Sequence, residues 1–208
     1  ARSGSLRGVT YVLELLGVAA FAASGVVASR AKRPDILGAL ILAFATALGG
    51  GVIRDAILGV PAQSCREHGY LAAILAGATA AFVLSRHTER VGPALRVADA
   101  LGLGLFNVAG MIKALASDDV GPAFAVLLGA ITGTGGGIIR DVMCGEMPAL
   151  LKSGKIYVTA CLAGGVAGLA AIALGVSLDI ASLVIALVTI ALRLSALRYG
   201  WKLPTAPG

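Results

Sequence analysis

Long runs of apolar residues, separated by short polar stretches, make up most of this chain. Windows long enough to cross a bilayer core, which takes about 20 apolar residues as a helix, occur at 9–29, 36–58, 69–85, 97–115, 122–145, 156–175 and 180–197. The pattern predicts an all-α membrane protein with seven transmembrane helices in a single integral domain, 1–208. Because these helices use nearly the whole chain, no room is left for a soluble catalytic or receptor domain.

The second half of the chain repeats the first at an offset near 86 residues. GGGVIRD at 49–55 recurs as GGGIIRD at 135–141, and the matches extend over three successive predicted helices. We therefore expect a three-helix repeat at 9–86, a second at 96–175 and a seventh helix at 178–198. Because each repeat has an odd number of helices, the second copy must enter the membrane from the opposite side. Such inverted repeats are typical of transport proteins, with the substrate path where the repeats meet.

Composition and charge agree with a membrane location and predict an orientation. Hydrophobic residues make up 58% of the chain and charged residues 13%. The net charge of +6 does not indicate a nucleic-acid partner, because the basic residues are scattered among loops. Eleven Lys and Arg, including Arg193, Arg198 and Lys202 counted with the C-terminus, fall on one side and four on the other. The positive-inside rule then places the N-terminus outside and the C-terminus in the cytoplasm.

Three consecutive glycines stand near the midplane of the second and of the fifth predicted helix. Each glycine costs about 1 kcal/mol relative to alanine in a helix interior, so the repeated triplet predicts that both helices are broken there. A break frees carbonyl oxygens, which suit a dehydrating cation, whereas close helix packing is the alternative reading. Nearby hydroxyls are further candidates, although they also bond back to their own helix. The candidate ion pathway is Gly49, Gly50, Gly51, Gly135, Gly136, Gly137, Ser24, Thr46, Thr132 and Thr134.

An arginine and an aspartate follow each triplet. A charge at membrane depth costs roughly 2 to 3 kcal/mol or more, and so it needs a watery cavity or a partner. Adjacent residues point about 100° apart on a helix, so we expect each arginine to pair with an acid from another helix; the alternative is an arginine that reaches the interface. For Lys113 the alternatives are a solvated loop and a gating role. The candidates for a gate or charged pore lining are Arg54, Asp55, Arg140, Asp141, Glu14, Asp99 and Lys113, with Glu14 and Asp99 as the symmetric partners of the arginines.

With these motifs and the three-plus-three-plus-one layout, the chain resembles the prokaryotic branch of the trimeric intracellular cation (TRIC) channels. The specific part is Gly49 to Asp55 with Gly59 and Pro61, and Gly135 to Asp141 with Gly145 and Pro148. The resemblance implies a homotrimer in a prokaryotic plasma (inner) membrane, one pore per protomer, kinked second and fifth helices, and conduction of monovalent cations, mainly K⁺, with Na⁺ as a further candidate. Animal members carry a lipid-binding Lys-Glu motif where this chain reads Val-Ile-Arg-Asp, so phosphoinositide regulation is not carried over.

The leading functional hypothesis is a potassium channel in which ions contact the backbone of the glycine breaks while Arg54 and Arg140 narrow or gate the path. The alternatives are a secondary transporter of a small zwitterion such as glycine, which some prokaryotic relatives are linked to, and a structural membrane scaffold. Membrane lipids and further copies of this chain are the expected partners. Nothing indicates an enzyme, a cofactor or a structural metal, because both histidines are expected in loops and the three cysteines have unrelated spacings.

Overall fold

The computed structural model describes residues 2–86, 91–152 and 156–204, and the side chains of 11–84, 92–152 and 156–204. His87, Arg90 and Lys155, which we expect in loops, lie outside these residues. The described residues form seven α-helices: α1 (Arg2–Ser29), α2 (Ile36–Ile57), α3 (His68–Arg86), α4 (Val91–Leu115), α5 (Pro122–Met143), α6 (Val158–Ala173) and α7 (Leu178–Tyr199).

Five of the seven helices are long and apolar enough to cross a membrane, namely α1, α2, α4, α5 and α7. The apolar parts of α3 and α6, His68–Leu84 and Val158–Ala173, are shorter. By length and composition, therefore, five of the seven predicted transmembrane helices can span a membrane in full. The chain is an all-helical membrane protein.

The ends of α2 and α5 lie where local sequence signals place them. Asp35 caps the start of α2 by accepting a hydrogen bond from the Gly38 amide at 2.7 Å. Gly59 and Gly145 follow the ends of α2 and α5 with φ of 65° and 67°, a left-handed conformation that side chains disfavour. Each glycine triplet consequently lies well inside a helix.

The helices pack around α1 and α4, which contact each other at the centre of the molecule. Phe21 of α1 stacks on Phe106 of α4 with ring centroids 5.3 Å apart, and both side chains are buried. The helices α2 and α3 pack on α1, whereas α5 and α7 pack on α4, and α2 and α5 contact each other. This arrangement brings the two GGG segments together.

The predicted breaks at the glycine triplets are wrong, because α2 and α5 are α-helical throughout both triplets. The space that a Cβ would occupy at Gly50 holds the carbonyl oxygen of Thr132, and the space at Gly136 holds that of Thr46. Because glycine has no side chain, the backbones of α2 and α5 are in contact here, as the alternative interpretation of close helix packing predicts. A continuous helix also keeps its carbonyl oxygens in hydrogen bonds four residues on, so the carbonyls of the triplets are not freed for an ion.

The two contacts also define the direction of the crossing. Thr46 contacts Gly136 and Gly50 contacts Thr132, so residue numbers increase along α2 in the direction in which they decrease along α5. The helices therefore cross in opposite directions at the triplets. Side chains that follow the triplets, Arg54 on α2 and Arg140 on α5, lie on opposite sides of this crossing.

Candidate functional site

The first candidate group is the Arg54 cluster, formed by Glu14, Arg54, Asp55 and Lys113. Arg54 donates from Nη1 to Glu14 Oε1 of α1 at 2.9 Å and from Nε to Asp55 Oδ1 at 2.7 Å. Its side chain is 1% exposed. The expected partner Glu14 on another helix is thus present, but Arg54 also binds its sequence neighbour Asp55, which the spacing along the helix did not favour. The backbone N–H of Gln63 donates to the other carboxylate oxygen, Asp55 Oδ2, at 3.0 Å and so orients the carboxylate that Arg54 binds.

Lys113 completes this cluster from the last turn of α4. Its Nζ lies 2.8 Å from Asp55 Oδ1 and 3.3 Å from Gln63 Oε1, and the side chain is 27% exposed. The reading of Lys113 as a solvated loop residue is therefore wrong. With two carboxylates and two cations the cluster is charge-balanced, and the cavity beside it is about 10 Å³, room for about one water molecule.

The second group is the Arg140 cluster, formed by Asp99, Arg140, Asp141 and Arg193. Arg140 Nη1 donates to Asp99 Oδ1 of α4 and Nη2 to Asp141 Oδ1, both at 2.7 Å. The Ala149 amide holds Asp141 Oδ2 at 2.8 Å, which matches the role of Gln63 at Asp55. The two motifs thus make equivalent contacts, and Asp99 takes the place that Glu14 has in the first half.

Two contacts of the Arg140 cluster involve Ser24 of α1 and Tyr157, which lies just before α6. Arg140 Nη1 donates to the hydroxyl of Ser24 on α1, and the Tyr157 hydroxyl donates to Asp99 Oδ1 at 3.0 Å. The other candidate hydroxyls, those of Thr46, Thr132 and Thr134, bond back to carbonyl oxygens of their own helices. Of the four candidate hydroxyls, Ser24 alone contacts a charged cluster.

Arg193 of α7 belongs to this cluster and was missed as a site residue. Counting it with the C-terminal loop charges was wrong, because its side chain is 5% exposed. Its Nη2 lies 3.8 Å from Asp99 Oδ2, its Nη1 donates to the Ile156 carbonyl at 2.9 Å, and its guanidinium lies 4.5 Å from the centre of the Tyr157 ring. The available signal was its position inside the predicted helix 178–198.

The surroundings of the two clusters differ. A cavity of about 330 Å³, the vestibule, opens beside the Arg140 cluster and is lined by Asp99, Arg140, Asp141 and Arg193. The cavity beside the Arg54 cluster is the small one of about 10 Å³, and Lys113 is a partly exposed member of that cluster. Between them lies the tight crossing of α2 and α5. The space beside the Arg140 cluster is therefore large enough for small solutes, whereas the space beside the Arg54 cluster holds about one water molecule.

The cysteines do not form part of either cluster. Cys65 is exposed, Cys144 and Cys161 are buried, and all three are free. Burial raises the pKa of the Cys144 thiol above its ordinary value, which disfavours the reactive thiolate. Among the described residues, no group of three or more His, Cys, Asp and Glu side chains is arranged to hold a metal ion.

Comparison with known proteins gives consistent matches over most of the chain. A protein family described as "Glycine transporter" matches residues 11–86 and 96–174. The UPF0126 inner membrane protein YadS of Escherichia coli K12 is 40% identical over 95% of this chain and 96% of its own length.

Solved structures of similar fold are TRIC channels. The TRIC orthologue of Rhodobacter sphaeroides superposes with a TM-score of 0.86 at 35% identity, covering 92% of this chain and 98% of the channel. A second TRIC cation channel gives a TM-score of 0.82 at 36% identity, covering 95% and 97%. A TRIC channel of Caenorhabditis elegans, at 15% identity and a TM-score of 0.62, shares the fold.

Proposed function

This chain belongs to the prokaryotic TRIC family of membrane proteins, and from that premise we propose that it is a channel for monovalent cations, mainly potassium, with a pore inside each protomer of a homotrimer. The observation that carries the proposal is the pair of buried, charge-balanced clusters on opposite sides of the α2–α5 crossing. Buried ionisable groups at membrane depth are typical of ion pathways. The similar TRIC cation channels support the same function.

We infer that the path runs from the vestibule past Arg140, along the α2–α5 crossing, to Arg54 and the opposite surface. Equivalent contacts at Asp55 and Asp141, together with the opposed directions of α2 and α5, favour two inverted repeats. With the N-terminus outside, the vestibule faces the cytoplasm of a prokaryotic cell. The E. coli relative is named an inner membrane protein, which supports that membrane.

The arginines in this path narrow it without imposing a net charge. Arg54 and Arg140 each bind two carboxylates, which neutralise a charge that would otherwise repel cations. Lys113 is the more movable cation, because it is partly exposed and lies at the edge of its cluster. When Lys113 withdraws, Arg54 is the one cation left on Asp55, and the carboxylate can also bind a permeating cation. The structure then represents a closed channel, sealed at the Arg54 cluster.

Planar-bilayer recording of the purified protein in potassium chloride tests this function. We expect unitary cation currents whose reversal potential follows the potassium gradient. A protein that is folded and reconstituted but carries no such current at any voltage would contradict the proposal. The same preparation in sodium chloride measures selectivity.

A secondary transporter of glycine is the second candidate. The matching family is described as "Glycine transporter", and the vestibule offers arginines for a carboxylate and Asp141 and Glu146 for an ammonium group. Uptake of labelled glycine into proteoliposomes distinguishes the two functions. Saturable uptake without unitary current favours the carrier.

A further inference from the structure

The vestibule holds more positive charge than the Arg140 cluster requires. Three acidic side chains line it, Asp99, Asp141 and Glu146. The basic side chains that line it number five: Lys32, Arg96, Arg140, Lys152 and Arg193. The surplus of two positive charges is unusual for the mouth of a cation path, since it repels the permeating ion.

Ion pairs inside the protein do not use up this surplus. Arg140 binds Asp99 and Asp141, and Lys32 lies 3.5 Å from Glu146. Neither Arg96 nor Lys152 pairs with an acidic group of the described residues. Within the described ranges, these two cations of the vestibule wall therefore have no carboxylate to balance their charge.

Arg193 adds a buried donor that lacks an acceptor. Its Nε is fully buried and, within the described part of the chain, has no hydrogen-bond partner. Buried polar groups almost always have a partner, so an unpaired one calls for a ligand or a water. Arg193 lines the vestibule, and the Ile156 carbonyl and the Tyr157 ring hold its guanidinium in place.

We propose that the vestibule binds a compact dianion through Arg96, Lys152 and Arg193. Carboxylate and phosphate oxygens are the chemistry that these groups recognise, because guanidinium and ammonium donors form their strongest hydrogen bonds with such oxygens. A volume of about 330 Å³ holds an ion of the size of phosphate or succinate together with water. Two negative charges balance the surplus of the wall.

Bound anion also changes cation entry, a consequence that rests on the proposed channel function. With the surplus cancelled, the vestibule no longer repels cations, so the unitary current carried from that side increases. Binding itself does not depend on conduction. A failure of the channel function therefore leaves the binding measurement intact.

Titration calorimetry of the purified full chain in detergent, at constant ionic strength in chloride, tests the site with succinate and with inorganic phosphate. We expect saturable binding that is weakened about tenfold by Arg96→Gln and by Lys152→Gln, since each removes a charge-assisted contact. Glu146→Gln frees Lys32 and tightens binding. The control Arg198→Gln removes an exposed basic residue outside the vestibule and leaves the affinity unchanged.

Absence of saturable binding, or equal weakening by the control and by both vestibule variants, would overturn the proposal. The source of the anion is tested in nanodiscs of phosphatidylcholine and of phosphatidylglycerol. Loss of succinate binding in phosphatidylglycerol identifies a lipid headgroup phosphate, which carries one negative charge, as the occupant and overturns the dianion. Equal binding in both lipids identifies a soluble anion.

Discussion

Arg54 and Arg140 make the same kinds of bonds in different surroundings. Each arginine binds one carboxylate on a neighbouring helix and one on the next residue. Arg54 is enclosed beside a cavity of about 10 Å³, whereas Arg140 borders the vestibule of about 330 Å³. The two arginines are therefore equivalent in contacts and unequal in their access to water.

This difference predicts that replacing Arg54 lowers the free energy of unfolding more than replacing Arg140 does. Arg54→Ala leaves Glu14 buried without its cation, which typically costs about 3 to 5 kcal/mol. Arg140→Ala costs less, because Arg193 remains beside Asp99 and vestibule water reaches Asp141. Reversible unfolding of the two purified variants in mixed micelles measures both changes. An equal or larger loss for Arg140→Ala would contradict this account.

Lys113 has no counterpart in the first half of the chain. At the repeat offset its equivalent is Ala28, which lines the vestibule instead of closing it. We predict that Lys113→Gln raises the open probability at least several-fold, because Asp55 loses one of the two cations that hold it and keeps only Arg54. Single-channel recording measures the effect, with Lys202→Gln as a control at an exposed cation. Unchanged gating in Lys113→Gln would remove Lys113 from the gate.

The ion pairs that the repeat implies could be predicted from the sequence, whereas the partners of Lys113 and Arg193 could not. Glu14 was identified as the partner of Arg54 because Asp99 stands at the equivalent position before Arg140. Neither Lys113 nor Arg193 has an equivalent cation in the other half. Tertiary packing of α4 brings Lys113 to Asp55, and tertiary packing of α7 brings Arg193 to Asp99. Local sequence carries no signal for those distances.

At the scale of elements, the glycine triplets join α2 to α5 instead of interrupting them. The intrinsic cost of glycine in a helix was readable from the sequence, but the compensating contact lies on another helix. Gly59 and Gly145, by contrast, end their helices through a local signal, the left-handed backbone conformation that glycine adopts most easily. The misassigned breaks thus come from judging a tertiary interface by helix propensity alone.

Neighbouring glycines of one triplet should then respond differently to alanine. Gly50→Ala puts a methyl group against the Thr132 carbonyl and separates the helices, which costs about 1 to 3 kcal/mol. At Gly51 the nearest atom to a new Cβ is 3.7 Å away, so Gly51→Ala gains up to about 1 kcal/mol of helix propensity. Unfolding midpoints in detergent measure both. Equal destabilisation by the two variants would favour a broken helix.

At the scale of the whole molecule, the proposed orientation places Cys65 outside the cell and Cys144 at the cytoplasmic side. Cys65 is exposed, whereas Cys144 is buried with a raised thiol pKa and reacts slowly. A membrane-impermeant maleimide should label Cys65 on intact cells, and Cys65→Ser should abolish that labelling. Labelling of Cys65 in inverted vesicles alone would reverse the topology.

The reciprocal contacts between Gly50 and Thr132 and between Gly136 and Thr46 also bear on the ancestry of the fold. A single three-helix unit that inserted in both orientations would place its own Thr46 carbonyl against Gly50 of a second copy and receive the same contact in return. Joining two such units end to end requires no new interface at the crossing. The two faces differ in the cations beside these contacts, since Lys113 lies on one face and Arg193 of α7 on the other.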